Sequence, residues 1–151
     1  MQIYKNVNYT ATNVIRFRQN ITEAELQTIM QKLDAYIEHE GAKKTGDVVT
    51  AIHVMNLNDR TSDIEIFVAI NKAIHPTKEF THIPRFNLTN CIMIKYKNSL
   101  HLVPDVYTKL YYKAKEMGLE INQPFYNVSD GQMIGLWSNS RVEMDVYVQL
   151  N

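Results

Sequence analysis

Two short segments of the chain carry closely similar patterns of acidic, aliphatic and aromatic residues. The first is DIEIFVA, residues 63–69, and the second is EMDVYVQ, residues 143–149. Both alternate residue by residue, which is typical of a β-strand with one face against a core. The other face of each strand then carries two carboxylates and one aromatic ring, from Asp63, Glu65 and Phe67 in the first and Glu143, Asp145 and Tyr147 in the second.

Carboxylates and aromatic rings on one surface favour the binding of an organic cation. A carboxylate that is partly withdrawn from water attracts a cation by Coulomb force, and each ring adds a cation–π contact of about 0.5–2 kcal/mol. We therefore expect the two strands to form the walls of a binding site. The alternative is that the acids lie on the solvated outer face of a sheet.

The residues before the first acidic strand predict the order strand, helix, strand. Residues 13–19 alternate as a strand, and Thr22 and Glu25 then form a capping box at the start of a helix. Gly41 is a natural stop for this helix. Residues 48–55 are rich in β-branched residues and predict a strand that forms an antiparallel hairpin with the first acidic strand.

The second half of the chain repeats the first. IRFR begins at Ile15 and IKYK begins at Ile94, an offset of 79 residues, while Glu65 and Asp145 are 80 residues apart. Two matches at nearly the same offset indicate an internal duplication, in which each half is a β-α-β-β unit.

One domain is predicted over the whole chain, residues 1–151. Pro104 suits the first turn of the second helix. Residues 72–85 contain His-Pro and Ile-Pro steps, which favour extended or turn conformations, and we interpret them as the crossing between the halves. The repeats are then residues 1–75 and 85–151.

Composition excludes several classes of function. Sixteen basic residues balance sixteen acidic ones, so the chain lacks the positive charge that binds nucleic acid. Neither a membrane-spanning apolar run nor a secretory signal occurs, and we expect a cytoplasmic protein. The five histidines lack metal-binding spacing, and Cys91 lies in an apolar run typical of a buried thiol. We predict no metal and no cofactor.

The order of these elements resembles the GyrI-like effector-binding domain. This is the ligand-sensing module of bacterial AraC-type and MerR-type transcription regulators, and it also occurs alone. The similar segments are AYIEHEGAKKTGDVVTAIH with DIEIFVAI in the first half, and KAKEMGLEINQPFYNV with EMDVYVQL in the second. The acidic strands of that family commonly end in an aliphatic–proline pair, whereas Ala69 and Gln149 stand at the proline positions here, so the resemblance is distant.

The resemblance implies an α+β fold of the SHS2 type. Its duplicated β-α-β-β modules form antiparallel sheets with two helices packed on one side, and a ligand cavity lies near the junction of the modules. It also implies an acidic residue of the last strand that faces cationic, often aromatic ligands. Asp145 matches that position, or Glu143 if the register differs by two residues, and Glu65 is the counterpart in the first half.

The predicted ligand-binding residues combine the acids with nearby rings. Tyr126 and Trp137 are included because both are predicted to lie on strands beside the second acidic strand, although core packing is the alternative for Trp137. The full set is Glu65, Phe67, Tyr126, Trp137, Glu143, Asp145 and Tyr147. We assign no catalytic residue.

Three functions follow from these patterns. The first is a stand-alone small-molecule-binding domain without its own DNA-binding domain. Its ligand is hydrophobic, and the acids favour one that is also a cation. The second is a non-catalytic adaptor or inhibitor that binds a protein partner, as gyrase-inhibitory relatives of the family do. The third is a small hydrolase in which Tyr147 and either Glu65 or Asp145 act as acid and base.

Overall fold

The computed structural model of the protein describes residues 1–130 and 141–151. Within these ranges the elements follow the order β-α-β-β twice, with a short 3-10 turn before the second helix. They are β1 (Ile3–Ile21), α1 (Glu23–His39), β2 (Lys44–Asn56), β3 (Thr61–Ile70), β4 (Thr81–Ser99), the 3-10 turn (Leu100–Leu102), α2 (Val103–Glu116), β5 (Ile121–Ser129) and β6 (Arg141–Leu150). The predicted α+β class is confirmed, whereas the duplication and the single-domain boundaries stay predictions.

The six strands of the described residues close into one antiparallel barrel, in the order β1-β3-β2-β5-β6-β4. The antiparallel sheets expected from the resemblance are therefore a single continuous sheet. The two long strands make this possible, since β1 and β4 each span 19 residues. Each of them pairs with a strand of its own half and also with the other long strand.

Asparagines interrupt the two long strands at three points. Asn6, Asn13 and Asn90 have left-handed φ angles of 55°, 53° and 51°. Asparagine adopts this conformation more readily than other residues with side chains. Around Asn6 the pairing of β1 with β4 shifts register, as expected for a β-bulge, which bends a strand and increases its twist. The bends allow long strands to follow a closed barrel.

The interpretation of residues 72–85 as the crossing between the halves is wrong at its end. Strand β4 already begins at Thr81 and includes Pro84. A proline is tolerated there because this part of β4 pairs with β1 on one side only, since its pairing with β6 begins at Cys91. The first strand is also longer than predicted.

The start of α1 confirms the predicted capping box. The Glu25 amide donates to Thr22 Oγ1 at 3.2 Å, and the Thr22 amide donates to Glu25 Oε1 at 3.1 Å. At the other end Gly41 has a φ of 70°, and the Ala42 amide donates to the Ile37 carbonyl, which closes a Schellman motif. The stripe buried against β1, β2 and β3 is Leu26, Ile29, Leu33 and Ile37.

The two helices cover the outside of the barrel. α2 buries Val106, Leu110 and Ala114 against strands of the second half, as α1 does against the first. Each acidic strand therefore has its aliphatic face under a helix and its other face inside the barrel. Among the described residues, no helix has the length and apolar character needed to span a membrane.

Candidate functional site

The inside of the barrel holds an apolar cluster to which all six strands contribute. Its buried members include Val14 of β1, Val49 of β2, Phe67 of β3, Phe86 of β4, Val128 of β5 and Tyr147 of β6. Because the period-two alternation of β3 and β6 turns their aliphatic residues toward the helices, Phe67 and Tyr147 point inward. The face that carries the acids is thus an interior surface.

Five aromatic rings, here called the aromatic cluster, lie together on this surface: Tyr9, Phe67, Phe86, Tyr126 and Tyr147. Phe67 stacks on Phe86 with ring centroids 4.4 Å apart. Tyr126 lies 5.8 Å from Phe86, and Tyr9 lies 5.7 Å from Tyr147 and 6.2 Å from Phe86. The structure therefore brings together three rings that the sequence analysis selected, and it adds two.

Tyr9 and Phe86 are the rings that the sequence analysis missed. Tyr9 lies before residues 13–19, the part of β1 that the sequence predicted, and a bulge at Asn6 interrupts the alternation near the start of the strand. Phe86 lies just after residues interpreted as a crossing. The available signal was the alternation of Val7, Tyr9 and Ala11, all of which pack against the cluster.

Glu65 lies at one end of the aromatic cluster and already has partners. It is 8% exposed. Arg16 Nε donates to its Oε2, and His53 Nε2 lies 2.9 Å from its Oε1. Burial raises the pKa of Tyr126, and the negative charge of Glu65 raises it further. Through Arg16 and His53, Glu65 of β3 links strands β1 and β2 at this end of the barrel.

The neighbouring acid of β3 is also paired. Arg18 Nε donates to Asp63 Oδ1 at 3.0 Å and its terminal nitrogen donates to Asp63 Oδ2 at 2.9 Å. This bidentate pair lowers the pKa of Asp63. The two acids of β3 are thus matched by two arginines of β1.

Asp145 lies on the second acidic strand in a different environment. It is half-buried, and burial is the main cause that raises its pKa; Lys95 opposes the shift, while Glu143 and Asp47 add to it. Within residues 1–130 and 141–151, Asp145 has no hydrogen bond or ion pair. The nearby Lys95 places its Nζ 5.7 Å from the ring of Tyr4. Asp145 is therefore a partly dehydrated carboxylate without a fixed partner.

Glu143, the other predicted acid of β6, is not part of the interior surface. Its side chain is 79% exposed, and its contact is with Lys97 Nζ at 4.0 Å. An ion pair this open to water contributes little. Asp145, and not Glu143, therefore lies beside the rings, and the match of either acid to the family's acidic position stays a prediction.

At the end of the barrel where Asp145 lies, two tyrosines of the aromatic cluster lie close to carboxylates. Tyr9 donates its hydroxyl to Asp47 Oδ2 at 2.7 Å, and burial followed by this hydrogen bond raises the pKa of Tyr9. Burial also raises the pKa of Tyr147, and the charge of Asp145 adds to that effect. Both hydroxyls stay protonated at neutral pH and can act as hydrogen-bond donors.

The thiol and the tyrosine hydroxyls of the interior surface are protonated at neutral pH. Burial raises the pKa of the Cys91 thiol to about 11, so it is not a thiolate at neutral pH. The pKa values of Tyr126 and Tyr147 are raised as well, so neither hydroxyl is deprotonated at neutral pH and able to act as a base. In the described ranges, no group of three or more His, Cys, Asp or Glu residues could hold a metal ion.

The predicted site residues thus have different outcomes. Phe67, Tyr126 and Tyr147 meet in the aromatic cluster, and Asp145 lies beside them. Glu65 is on the same interior surface but is paired with Arg16 and His53. Trp137 lies outside the described residues. Ligand binding by any of them stays a prediction.

Solved structures with the same fold include two of EcmrR. The chain aligns with a chain of the cryo-EM structure of the EcmrR–DNA complex in EcmrR-RPo with a TM-score of 0.69 and 12% identity, over 99% of this chain. It spans only 57% of the length of that EcmrR chain. The crystal structure of the EcmrR C-terminal domain aligns with a TM-score of 0.67 and 12% identity, over 99% of this chain and 97% of that domain.

An uncharacterized conserved protein from Listeria innocua also has this fold. Its crystal structure aligns with a TM-score of 0.65 and 10% identity, over 97% of this chain and 93% of that one. No protein-family model and no curated protein matches the sequence. At these identities the likeness shows the fold alone, and it supports the GyrI-like fold implied by the resemblance.

Proposed function

We propose that this chain is a small-molecule-binding domain that binds a hydrophobic cation at the aromatic cluster, with Asp145 as its counter-ion. One observation carries the proposal: rings from five strands lie together inside the barrel, and a carboxylate without a fixed partner lies beside them. Rings attract cations through their faces, and the attraction grows when the site is shielded from water. An aromatic ligand gains stacking contacts as well.

The distribution of charge supports Asp145 as the counter-ion. The two acids of β3 are matched by Arg16 and Arg18, so that end of the interior surface is close to neutral. At the other end the carboxylates of Asp47 and Asp145 lie near one lysine, Lys95. That end therefore has one negative charge in excess, which a cationic ligand would neutralise.

The fold supports a role in regulation. EcmrR is described in a complex with DNA, and its C-terminal domain shares this fold. A role as the effector-binding domain of a transcription regulator is the part of the proposal that rests on this likeness. With balanced charge, this domain itself is not expected to contact nucleic acid, so DNA contacts would come from another domain or another chain.

Calorimetric titration with tetraphenylphosphonium tests the proposal, with triphenylphosphine oxide as a neutral aromatic control. The phosphonium should bind with a Kd of roughly 10–100 µM, and the neutral compound should bind about tenfold more weakly. Equal affinities for the two compounds would contradict a role of the Asp145 carboxylate in binding. No binding of either compound at about 1 mM would contradict the proposal and favour the protein-binding adaptor.

A further inference from the structure

The junction between β2 and β5 is the shortest junction of the barrel among the described residues. Only three residue pairs join these strands, Val48–Thr50 with Asn127–Ser129, whereas eight pairs join β1 to β3. The next pair of the ladder would be Ala51 with Tyr126. Both residues are described, and they do not pair.

Proline explains why the junction ends. Pro124 has no backbone N–H, and in the same register it would lie opposite His53. His53 itself lies at a register shift between β2 and β3, which directs its ring toward Glu65. From Ala51 to Asn56, β2 therefore pairs with β3 and leaves its other edge free of strand partners among the described residues.

Three side chains of this free edge and the turn after it are apolar and exposed. Val54 is 62% exposed, Met55 is 41% exposed and Leu57, in the following turn, is 73% exposed. No Lys, Arg, Asp or Glu occurs between Asp47 and Asp59. Proteins usually protect free edges with charged side chains, proline or a β-bulge. This edge has no charged side chain and no proline, and its one bulge lies at His53.

We propose that this edge, residues 51–57, pairs with the same edge of a second copy of the chain. Antiparallel pairing of the segment with itself is centred on Val54, so that Val54 lies opposite the partner's Val54 and Met55 lies opposite the partner's His53. The exposed Val54 of each copy then covers that of the other, and like charges do not oppose each other. In this two-fold arrangement the unpaired backbone N–H and C=O groups of both edges form hydrogen bonds with each other.

The charge of the whole chain agrees with self-association. Its formal net charge at pH 7 is zero, so two copies do not repel each other at long range. A neutral edge also lacks the charges that would select a charged foreign peptide. The paired surface is small compared with the roughly 1,600 Å² of a standard interface, and the dimer should dissociate in the micromolar range.

Sedimentation velocity over about 5–500 µM tests the pairing. The wild type should shift from monomer to dimer as its concentration rises. Val54→Lys places two like charges opposite each other and should raise the dimer Kd at least about tenfold, and Leu57→Lys should also weaken the dimer. Tyr112→Lys, at an exposed position on α2, is the matched control and should leave the dimer intact.

A charge-pairing experiment tests the two-fold geometry. Val54→Lys and Val54→Glu should each be monomeric alone, and an equimolar mixture should form a heterodimer, because residue 54 faces itself across the axis. Circular dichroism establishes that each variant is folded, and Leu57→Lys replaces Val54→Lys if the latter unfolds. A monomeric wild type at every concentration, a dimer that resists the edge variants, or a mixture that stays monomeric would overturn the proposal.

Discussion

Replacement of Asp145 by asparagine removes one charge and keeps the size of the side chain. At about 4 Å, a carboxylate and a cation attract each other by about 1 kcal/mol in bulk water and about 4 kcal/mol at an effective dielectric constant of about 20. Asp145 is half-buried, and Lys95 competes for its charge, so the loss should lie toward the lower part of this range. A loss of about 1.4 kcal/mol corresponds to tenfold in Kd.

The assay is calorimetric titration of the wild type and two variants with tetraphenylphosphonium. Asp145→Asn should raise the Kd about tenfold, whereas Glu143→Gln should raise it less than about twofold, because the Glu143 side chain is 79% exposed. Binding of the neutral triphenylphosphine oxide should be nearly the same in all three proteins. If Asp145→Asn binds the phosphonium as tightly as the wild type, Asp145 is not the counter-ion.

Three further predictions concern the residues around the site and the first helix. Glu65→Gln should lower the free energy of unfolding by roughly 1–3 kcal/mol, because it leaves Arg16 without its partner. It should change phosphonium affinity less than about threefold. A large loss of affinity with unchanged stability would mean that Glu65, and not Asp145, is the counter-ion. Thr22→Ala should cost about 1 kcal/mol in urea denaturation, while Thr28→Ala, in the middle of the exposed face of α1, should cost little; equal effects would mean that the cap is unimportant. Phosphonium binding should weaken as the pH falls through the pKa of Asp145, which burial holds above its ordinary value, because only the ionised carboxylate attracts the cation; titrations at several pH values should show this dependence in the wild type and not in Asp145→Asn.

Local signals were sufficient for the elements that carry regular patterns. The capping box at Thr22 and the alternation around Phe67 and Tyr147 are properties of a few adjacent residues, and the structure confirms the helix start and both strands. The interior orientation of the acidic face follows from the same alternation, once the aliphatic residues are buried under a helix.

Long-range pairing could not be deduced in the same way. Glu65 is paired with Arg16 on one strand and His53 on another, and cross-strand register leaves no local trace in a sequence. Tyr9 was missed because a bulge at Asn6 interrupts the alternation near the start of β1, and Phe86 because prolines concealed the start of β4. Closure of the barrel depends on three pairs between β2 and β5, for which no local signal exists.

A crystal structure of the protein bound to tetraphenylphosphonium would test the proposed site most directly. The phenyl groups should contact Phe86 and Tyr147 inside the barrel, with the phosphonium centre within about 6 Å of a ring centroid and beside the Asp145 carboxylate. A phosphonium bound on the outer surface, for example against the exposed Tyr111 and Tyr112 of α2, with the aromatic cluster unchanged, would contradict it.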